Sequence, residues 1–379
     1  MKYLTFYDTD TNKAENRNIV LSSSNKLSYM FEAMHDAGLD FDIVSASGAL
    51  GNRPLSAKKT PLFEGVHLWL PASLGRPCKP VRVLDRLFIR IQLFFKLFGM
   101  KKGETLVVYH SLFYMNLVKV IKRLKKVKLV LELEEIYGDV MEDVRVSQKE
   151  LDFCKLADAY IFPTELLNEK INIANKPSVI IHGTYKVEEK LADRFNDGKI
   201  HIVYAGTLDP RKGGASATVE AGEFLDGRYH IHILGFGGDE EKKILFDEIE
   251  RVSKGSDCKV TYDGLLSGEE YLKFLQSCHI GLSTQNPNAK FNDTSFPSKI
   301  LSYMANGLKV VSVRIPAIET SAIGTHISYY EEQTPQKIAE AIKNIKNFES
   351  ESQNVISKLD ETFMLKIAKL LGDEHAVVC

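Results

Sequence analysis

The stretch that most constrains this 379-residue chain is TSFPSKILSYMANGLKVVSV, residues 294–313. It reads as loop, helix, glycine stop and strand. Ser295 can cap the helix, and Pro297 suits its first turn. Ile300, Leu301 and Met304 recur at helical spacing and face a core. Gly307 is placed to end the helix, and Lys309 to Val313 is a short, mostly apolar strand. The N–H groups at such a helix start, with Lys299 beside them, suit a diphosphate. The same pattern also fits an ordinary αβ unit with no ligand.

Two further segments favour the first alternative. Lys199 to Leu208 (KIHIVYAGTL) is a strand that runs into Asp209-Pro210-Arg211-Lys212-Gly213-Gly214. Tyr229 to Gly238 (YHIHILGFGG) is a second strand that ends in a glycine loop. Three strand-then-turn units in one half of a chain predict an open α/β sheet whose ligand lies across the carboxyl ends of the strands.

The length suits two domains. The net charge of −1 hides an asymmetry: residues 1–186 carry 27 Lys and Arg against 21 Asp and Glu, and residues 187–379 carry 22 against 29. A basic first half and an acidic second half predict different partners. Cys78, Cys154, Cys258, Cys278 and Cys379 have no metal-ligand or CxxC spacing, the usage of reduced thiols in a cytosolic protein. The N-terminus MKYLTFYDTD starts a strand and has no signal-peptide core. No apolar run reaches the roughly 20 residues that span a bilayer.

Along the first half, Lys2 to Tyr7 is a strand, Asp8 to Val20 a polar loop, Asn25 to Ala37 a helix and Phe41 to Ser45 a strand: the opening of a Rossmann-like domain. The long loop sits where a substrate is gripped, or it is solvated chain. Gly48 to Lys59 reads as polar loop and Gly65 to Leu70 as strand. Residues 81–102 (VRVLDRLFIRIQLFFKLFGMKK) form a basic amphipathic helix. It fits an anionic membrane surface, or a core helix with solvated arginines. A second basic helix carries Lys119, Lys122, Arg123, Lys125, Lys126 and Lys128. Aromatic residues do not alternate with these charges, so nucleic-acid binding is not expected. The strand Thr105–Tyr109 ends in His110, and Leu129–Leu133 ends in Glu134-Glu135, carboxylates at a strand's carboxyl end and so site candidates or a solvated turn.

Taken together, VYAGTLDPRKGG, ILGFGG, VTYDGLLSGEEYLKFLQSCHIGLS and FPSKILSYMANGLKVVS, in that order and spacing, resemble the donor-binding domain of GT-B glycosyltransferases, of the retaining family 4 type (glycosyl transferases group 1). RNIVLSSSNKLSYM, VYHS, LELEEIY and IIHG extend the resemblance more weakly over the first half. It implies an α/β fold of GT-B type, two Rossmann-like domains facing across a cleft. The implied division is 1–183 as acceptor domain, 184–198 as linker and 199–355 as donor domain, with 356–379 packing back on the first. Carried over residue by residue, Lys212 and Arg211 contact the diphosphate after Gly206 and Thr207. Gly235 and Gly237 let backbone approach the ligand. Tyr262, Gly264 and Leu265 hold the base, and Thr294, Ser295, Ser298, Lys299 and Ser302 meet the diphosphate and sugar. His110, with Lys212 and Lys299, lies at the reaction centre. Asn16, Arg17, Asn18 and Glu134 face the acceptor. Two glutamates common in the family are Thr294 and Ser302 here, and its usual arginine is Thr207.

The resemblance implies retaining transfer of a sugar from a nucleoside diphosphate, UDP favoured, to a hydroxyl of a glycan or lipid-linked acceptor in cell-surface polysaccharide synthesis. The expected route is front-face displacement in which the leaving phosphate takes the acceptor proton, because no nucleophile set is visible. No Asp-x-Asp ends a donor-domain strand, so no cofactor or metal is expected. The expected location is cytoplasmic, peripheral at the inner face of the membrane through 81–102. The replaced glutamates keep a second reading open, a non-catalytic GT-B subunit that binds a partner transferase or a glycan. An epimerase or phosphorylase on the same fold is a third.

Overall fold

A computed structural model describes residues 1–10, 15–19, 21–210, 213–287 and 295–372. The chain divides into two units, residues 1–182 with 362–379, and residues 183–361.

The first unit is built on an eight-stranded sheet. Its strands are β1 (Lys2–Thr5), β2 (Asp42–Ser45), β3 (Lys58–Phe63), β4 (Val66–Leu70), β5 (Thr105–Tyr109), β6 (Lys128–Glu132), β7 (Ala159–Phe162) and β8 (Ser178–Ile180), in the order β3-β4-β2-β1-β5-β6-β7-β8. All neighbours run parallel except β3 and β4. The central strands are apolar throughout because helices cover both faces of a parallel sheet. Leu4, Val44, Leu106, Val108, Leu129 and Leu131 are buried together with Ile89, Leu93 and Leu97 of helix Lys79–Phe98. The expected polar loop at residues 48–59 runs into β3, an antiparallel edge strand that pairs with β4.

The amphipathic pattern of 81–102 puts Leu84, Leu87, Phe88, Ile91, Phe94, Phe95 and Phe98 on one apolar face, and five of them, Leu84, Leu87, Ile91, Phe95 and Phe98, do not face the core in helix Lys79–Phe98. All five are exposed, and the buried positions are Asp85, Ile89, Leu93 and Leu97. The helix therefore presents a second apolar stripe to solvent, spaced three and four residues apart as on one side of an α-helix.

The second unit holds six parallel strands: β9 (Ile200–Thr207), β10 (Tyr229–Phe236), β11 (Lys259–Gly264), β12 (Ile280–Ser283), β13 (Lys309–Val313) and β14 (Ser328–Tyr330), in the order β11-β10-β9-β12-β13-β14. Residues 184–198, expected as a linker, belong to this unit and are fixed to it by hydrogen bonds. Glu188 N donates to Ala305 O, Leu191 N to Gln276 Oε1, and Arg194 Nη1 to Phe348 O at 2.7 Å. The last helix, Ser352–Leu371, passes into the first unit from Thr362, where Phe363 stacks on Tyr29 and Lys128 Nζ donates to Leu370 O.

The helix of the 294–313 stretch spans Lys299–Ala305 and starts later than expected. Ser298, not Ser295, takes the N-cap position, with no side-chain cap hydrogen bond, and Pro297 lies outside the helix. Pro297 O accepts the Ile300 N–H at 3.1 Å, a turn that precedes the regular helix. Inside it, Tyr303 is fully buried; its hydroxyl accepts from Ala205 N at 2.9 Å and donates to Leu282 O at 3.3 Å. A Cβ on Gly281 would meet the Tyr303 ring at 2.3 Å, so the helix lies directly on β12.

Candidate functional site

The donor-side candidates gather at the carboxyl ends of β9, β10 and β11. Gly235 has φ +151°, and a Cβ there would lie 1.7 Å from Gly206 O. Only glycine permits this approach, so β9 and β10 end side by side with bare backbone between them. Lys299 is aimed at this point. Its Nζ lies 4.2 Å from the centre of the Tyr204 ring and 2.8 Å from where a Gly206 Cβ would stand. Tyr204 offers the π face that holds an ammonium. Burial pushes its phenol up to about 12, and its hydroxyl donates to Thr207 O at 3.2 Å. A lysine so held places positive charge against the glycine backbone at these strand ends, an arrangement that stabilises a developing phosphate charge.

Around it, Tyr262 donates from its hydroxyl to Gly235 O at 2.9 Å, and Gly264 turns the chain at φ +86°. Leu265 is 66% exposed. Gly237 precedes the helix Asp239–Gly255, whose first turn is already occupied by an anion: Glu241 Oε2 accepts the Gly238 N–H at 2.5 Å. Ser302 is half-buried and hydrogen-bonded to Tyr271. Ser298 is exposed and Ser295 half-buried. Arg211, Lys212 and Thr294 lie outside the described residues. Sequence reasoning missed Tyr204, and it missed Phe236, an exposed aromatic ring at the end of β10. The signal for Phe236 was present in ILGFGG, an aromatic residue at the point where a buried strand gives way to glycines.

In the first unit, the strands' carboxyl ends and helix Lys79–Phe98 enclose a pocket of about 390 Å³, lined by Phe6, Asn18, Ala46, Arg76, Arg86, Ile89, Arg90, Leu112 and Phe113. Three arginines share it. Arg90 is steered by a hydrogen bond from Nε to Phe113 O at 3.0 Å, with its guanidinium 4.6 Å from the Phe113 ring centre. Arg76 Nε stands 3.6 Å from Asp85 Oδ2, too far for a hydrogen bond, and both atoms are buried with no hydrogen-bond partner among the described residues. The other Asp85 oxygen accepts from Ser73 Oγ at 2.8 Å and Leu74 N at 2.7 Å.

The three loop residues expected to face an acceptor separate here. Asn18 lines the pocket, and Asn16 is exposed with φ +48°. Arg17 is buried and spent on the scaffold. Its Nη1 donates to Ser47 O and Pro71 O, Nη2 to Ser56 O, and Nε to Glu15 at 2.6 Å. A guanidinium so engaged braces the loop and is not open to a ligand, which corrects the expectation for this residue.

His110 is buried, with Nε2 2.6 Å from Glu150 Oε1. Glu150 also accepts from Tyr137 N at 3.1 Å and Gly138 N at 2.6 Å. The carboxylate accepts the Nε2 hydrogen, and the other ring nitrogen, Nδ1, is buried with no partner among the described residues. Glu134 pairs with Lys26 Nζ at 2.5 Å. Behind it, Glu132 is fully buried against the Tyr3 hydroxyl. Burial pushes its carboxyl up to about 8, with Glu134 adding to the rise and Lys26 opposing it. Lys26 was legible as a lone cation beside the apolar residues of the first helix, whereas its pairing was not.

Residues 199–347 match the family model described as Glycosyl transferases group 1. No curated protein matches the chain. Among solved structures, a trehalose-6-phosphate protein from E. coli bound with UDP-2-fluoro glucose is 10% identical with TM-score 0.68, covering 99% of each chain. A sucrose-phosphate synthase from Thermosynechococcus elongatus is 14% identical with TM-score 0.66, covering 98% of each chain. A trehalose 6-phosphate synthase from Burkholderia multivorans is 10% identical with TM-score 0.64, covering 97% of this chain and 95% of that one. Residues 199–347 thus match a glycosyl transferases group 1 domain, and the whole chain shares the GT-B fold of these structures.

Proposed function

We propose that the protein transfers a sugar from UDP to a hydroxyl of an anionic acceptor with retention of configuration. The carrying observation is the Lys299 ammonium, seated on Tyr204 beside the Gly206–Gly235 backbone. A departing diphosphate gains charge at its oxygens, and that point offers a fixed cation beside glycine backbone. Lys212 and Arg211 add cations on the family resemblance. UDP is favoured by the UDP-sugar named for the E. coli structure and by a Burkholderia neighbour described as UDP-forming. Retention follows the neighbour studied for glycosyl transfer with retention. No step in this reading calls on a metal ion or cofactor.

The acceptor side is supported by the arginine pocket. Arg76, Arg86 and Arg90 outnumber the one acid beside them, so a phosphate-bearing acceptor suits it. A phosphorylated sugar and a lipid-linked glycan phosphate share that chemistry. The exposed stripe of helix Lys79–Phe98 favours the lipid-linked form, in cell-surface polysaccharide synthesis at the inner face of the membrane.

The test is a thermal-shift titration of the full chain with UDP, GDP, ADP and CMP. Selective stabilisation by UDP is expected, because a ligand that binds only the native state raises apparent stability. Lys299→Ala is expected to abolish that shift and to lower transfer by about 100-fold or more. A protein that no nucleotide stabilises would instead be the non-catalytic subunit that the serine at 302 allows.

A further inference from the structure

Three histidines meet on one face of the second sheet, toward the amino ends of β9 and β10. His201 is the second residue of β9, and His230 and His232 are the second and fourth of β10. His201 pairs with His230 in register, and His232 pairs with Thr261 of β11. Five residues along β9 separate His201 from Gly206, about 16 Å at the rise of a strand. A ring nitrogen of each histidine lies within 4.8 Å of the others, the one such group among the described residues. All three residues are buried, under Phe195, whose ring centre is 4.3 Å from that of His201, and Phe274, 5.1 Å from His232.

The hydrogen bonds fix where the protons are. His201 Nε2 is 2.9 Å from Asp197 Oδ1, and His232 Nδ1 is 3.0 Å from Asp263 Oδ2. Carboxylates accept, so both of these nitrogens carry hydrogen. Neutral rings then have lone pairs on His201 Nδ1 and His232 Nε2, and these two atoms face each other at 2.8 Å. Two lone pairs do not hold that distance unless a proton or a metal ion lies between them. His230 repeats the pattern. Its Nε2 is 3.0 Å from Thr261 Oγ1, whose hydroxyl donates to Asp263 Oδ2 at 2.9 Å. The Thr261 oxygen is thus the acceptor, and the His230 lone pair is on Nδ1.

Each imidazole thus turns an N–H to an oxygen and a lone pair away from it. This is the arrangement in which a carboxylate orients a histidine toward a metal. We propose that His201, His230 and His232 bind a divalent transition-metal ion, zinc being the natural fit to three imidazoles with an open fourth position. Asp197 and Asp263 set the ring orientations and balance the charge. Two tetrahedral zinc–nitrogen bonds place their nitrogens about 3.3 Å apart, so the His201 and His232 rings part by roughly half an ångström on loading. Asp197 is half-exposed, which gives the ion a way in. The site ties β9, β10 and β11 together, with Asp263, between Tyr262 and Gly264, its member nearest the donor-side residues.

The test uses the chelator-stripped full chain, titrated with Co²⁺ and then Zn²⁺. One equivalent of Co²⁺ per chain with a visible spectrum, displaced by Zn²⁺, is expected, together with a rise in melting temperature on zinc loading. X-ray absorption of the zinc-loaded wild type is expected to count three imidazoles, a readout that needs no variant. His232→Gln should lose binding, and Asp263→Asn should weaken it by about 10- to 100-fold. His326→Gln, an exposed histidine elsewhere in the unit, should leave it unchanged. Failure to bind stoichiometrically would overturn the proposal and leave a shared proton between His201 and His232. A zinc spectrum without three imidazoles, or binding unaffected by His232→Gln, would also overturn it.

Discussion

At the scale of single residues, the buried carboxyl of Glu132 makes the sharpest claim. Its ordinary value is near 4.3, and in the fold it is pushed up to about 8 by burial. A raised carboxyl favours the protonated native state. Its contribution to stability is therefore complete below about pH 4 and is lost as pH climbs through 8. Glu132→Gln keeps an oxygen to accept from the Tyr3 hydroxyl and removes the titration. Melting curves of the two proteins are expected to coincide near pH 4.5 and to separate steadily from pH 6 to 9, with the variant the more stable by a few kcal/mol at the top of the range, on the order of the shift itself. Curves that stay parallel would show that Glu132 is ionised in the native state at no cost. None of this was legible in LELEEIY, where three glutamates alternate with apolar residues or sit side by side. Which of them the sheet buries depends on the register of β6 between β5 and β7, a tertiary fact. Arg17 teaches the same lesson in reverse. A loop arginine near a strand end has the composition of a ligand-binding group, and only the positions of Ser47, Ser56 and Pro71 show its donors to be spent.

At the scale of elements, the glycines that end the strands were legible, because their role is local. Gly235 tests this directly. Ala at 235 would set a Cβ 1.7 Å from Gly206 O, so β9 and β10 must part at their carboxyl ends. Gly264 also has positive φ, but nothing lies within 4 Å of its would-be Cβ. Gly264→Ala is expected to cost only backbone strain, about 1–2 kcal/mol. Gly235→Ala should cost more than about 3 kcal/mol by urea unfolding and abolish stabilisation by UDP. Similar losses for the two would place no special weight on the Gly206–Gly235 contact. Elements whose logic is not local were harder to read. The strand β3 was missed because KKTPLF, with lysines and an internal proline, looks like loop. Such residues suit an edge strand, where one side of the ladder is left open. The histidine site was invisible for a related reason. In KIHIVY and YHIHIL the histidines simply alternate with isoleucine, and only the register of β9 on β10 brings them together.

At the scale of the whole molecule, the charge asymmetry and the unpartnered stripe of helix Lys79–Phe98 point the same way. Leu84, Leu87, Ile91, Phe95 and Phe98 are exposed, with Phe95 67% exposed. Arg82, Lys101, Lys102 and Arg123 are exposed cations on this helix, just beyond its end, or on the neighbouring helix Met115–Lys125. Among the described residues no helix is long and apolar enough to cross a membrane, so any attachment through this helix is interfacial. Apolar side chains then enter the headgroup boundary while the cations meet anionic lipid. Flotation of the full chain with vesicles containing anionic phospholipid is expected at low salt, and little flotation with zwitterionic vesicles. Raising the salt should weaken it, because screening shortens the reach of the cations. Leu87→Asp with Phe95→Asp leaves the arginine pocket intact, since neither residue lines it. This double variant should stay with the unbound protein while keeping its melting temperature and its response to UDP, because both side chains already face water. Equal flotation of variant and wild type would assign the stripe to some other partner. Flotation of neither would remove the membrane from the proposal and leave the arginine pocket to a phosphorylated acceptor free in solution.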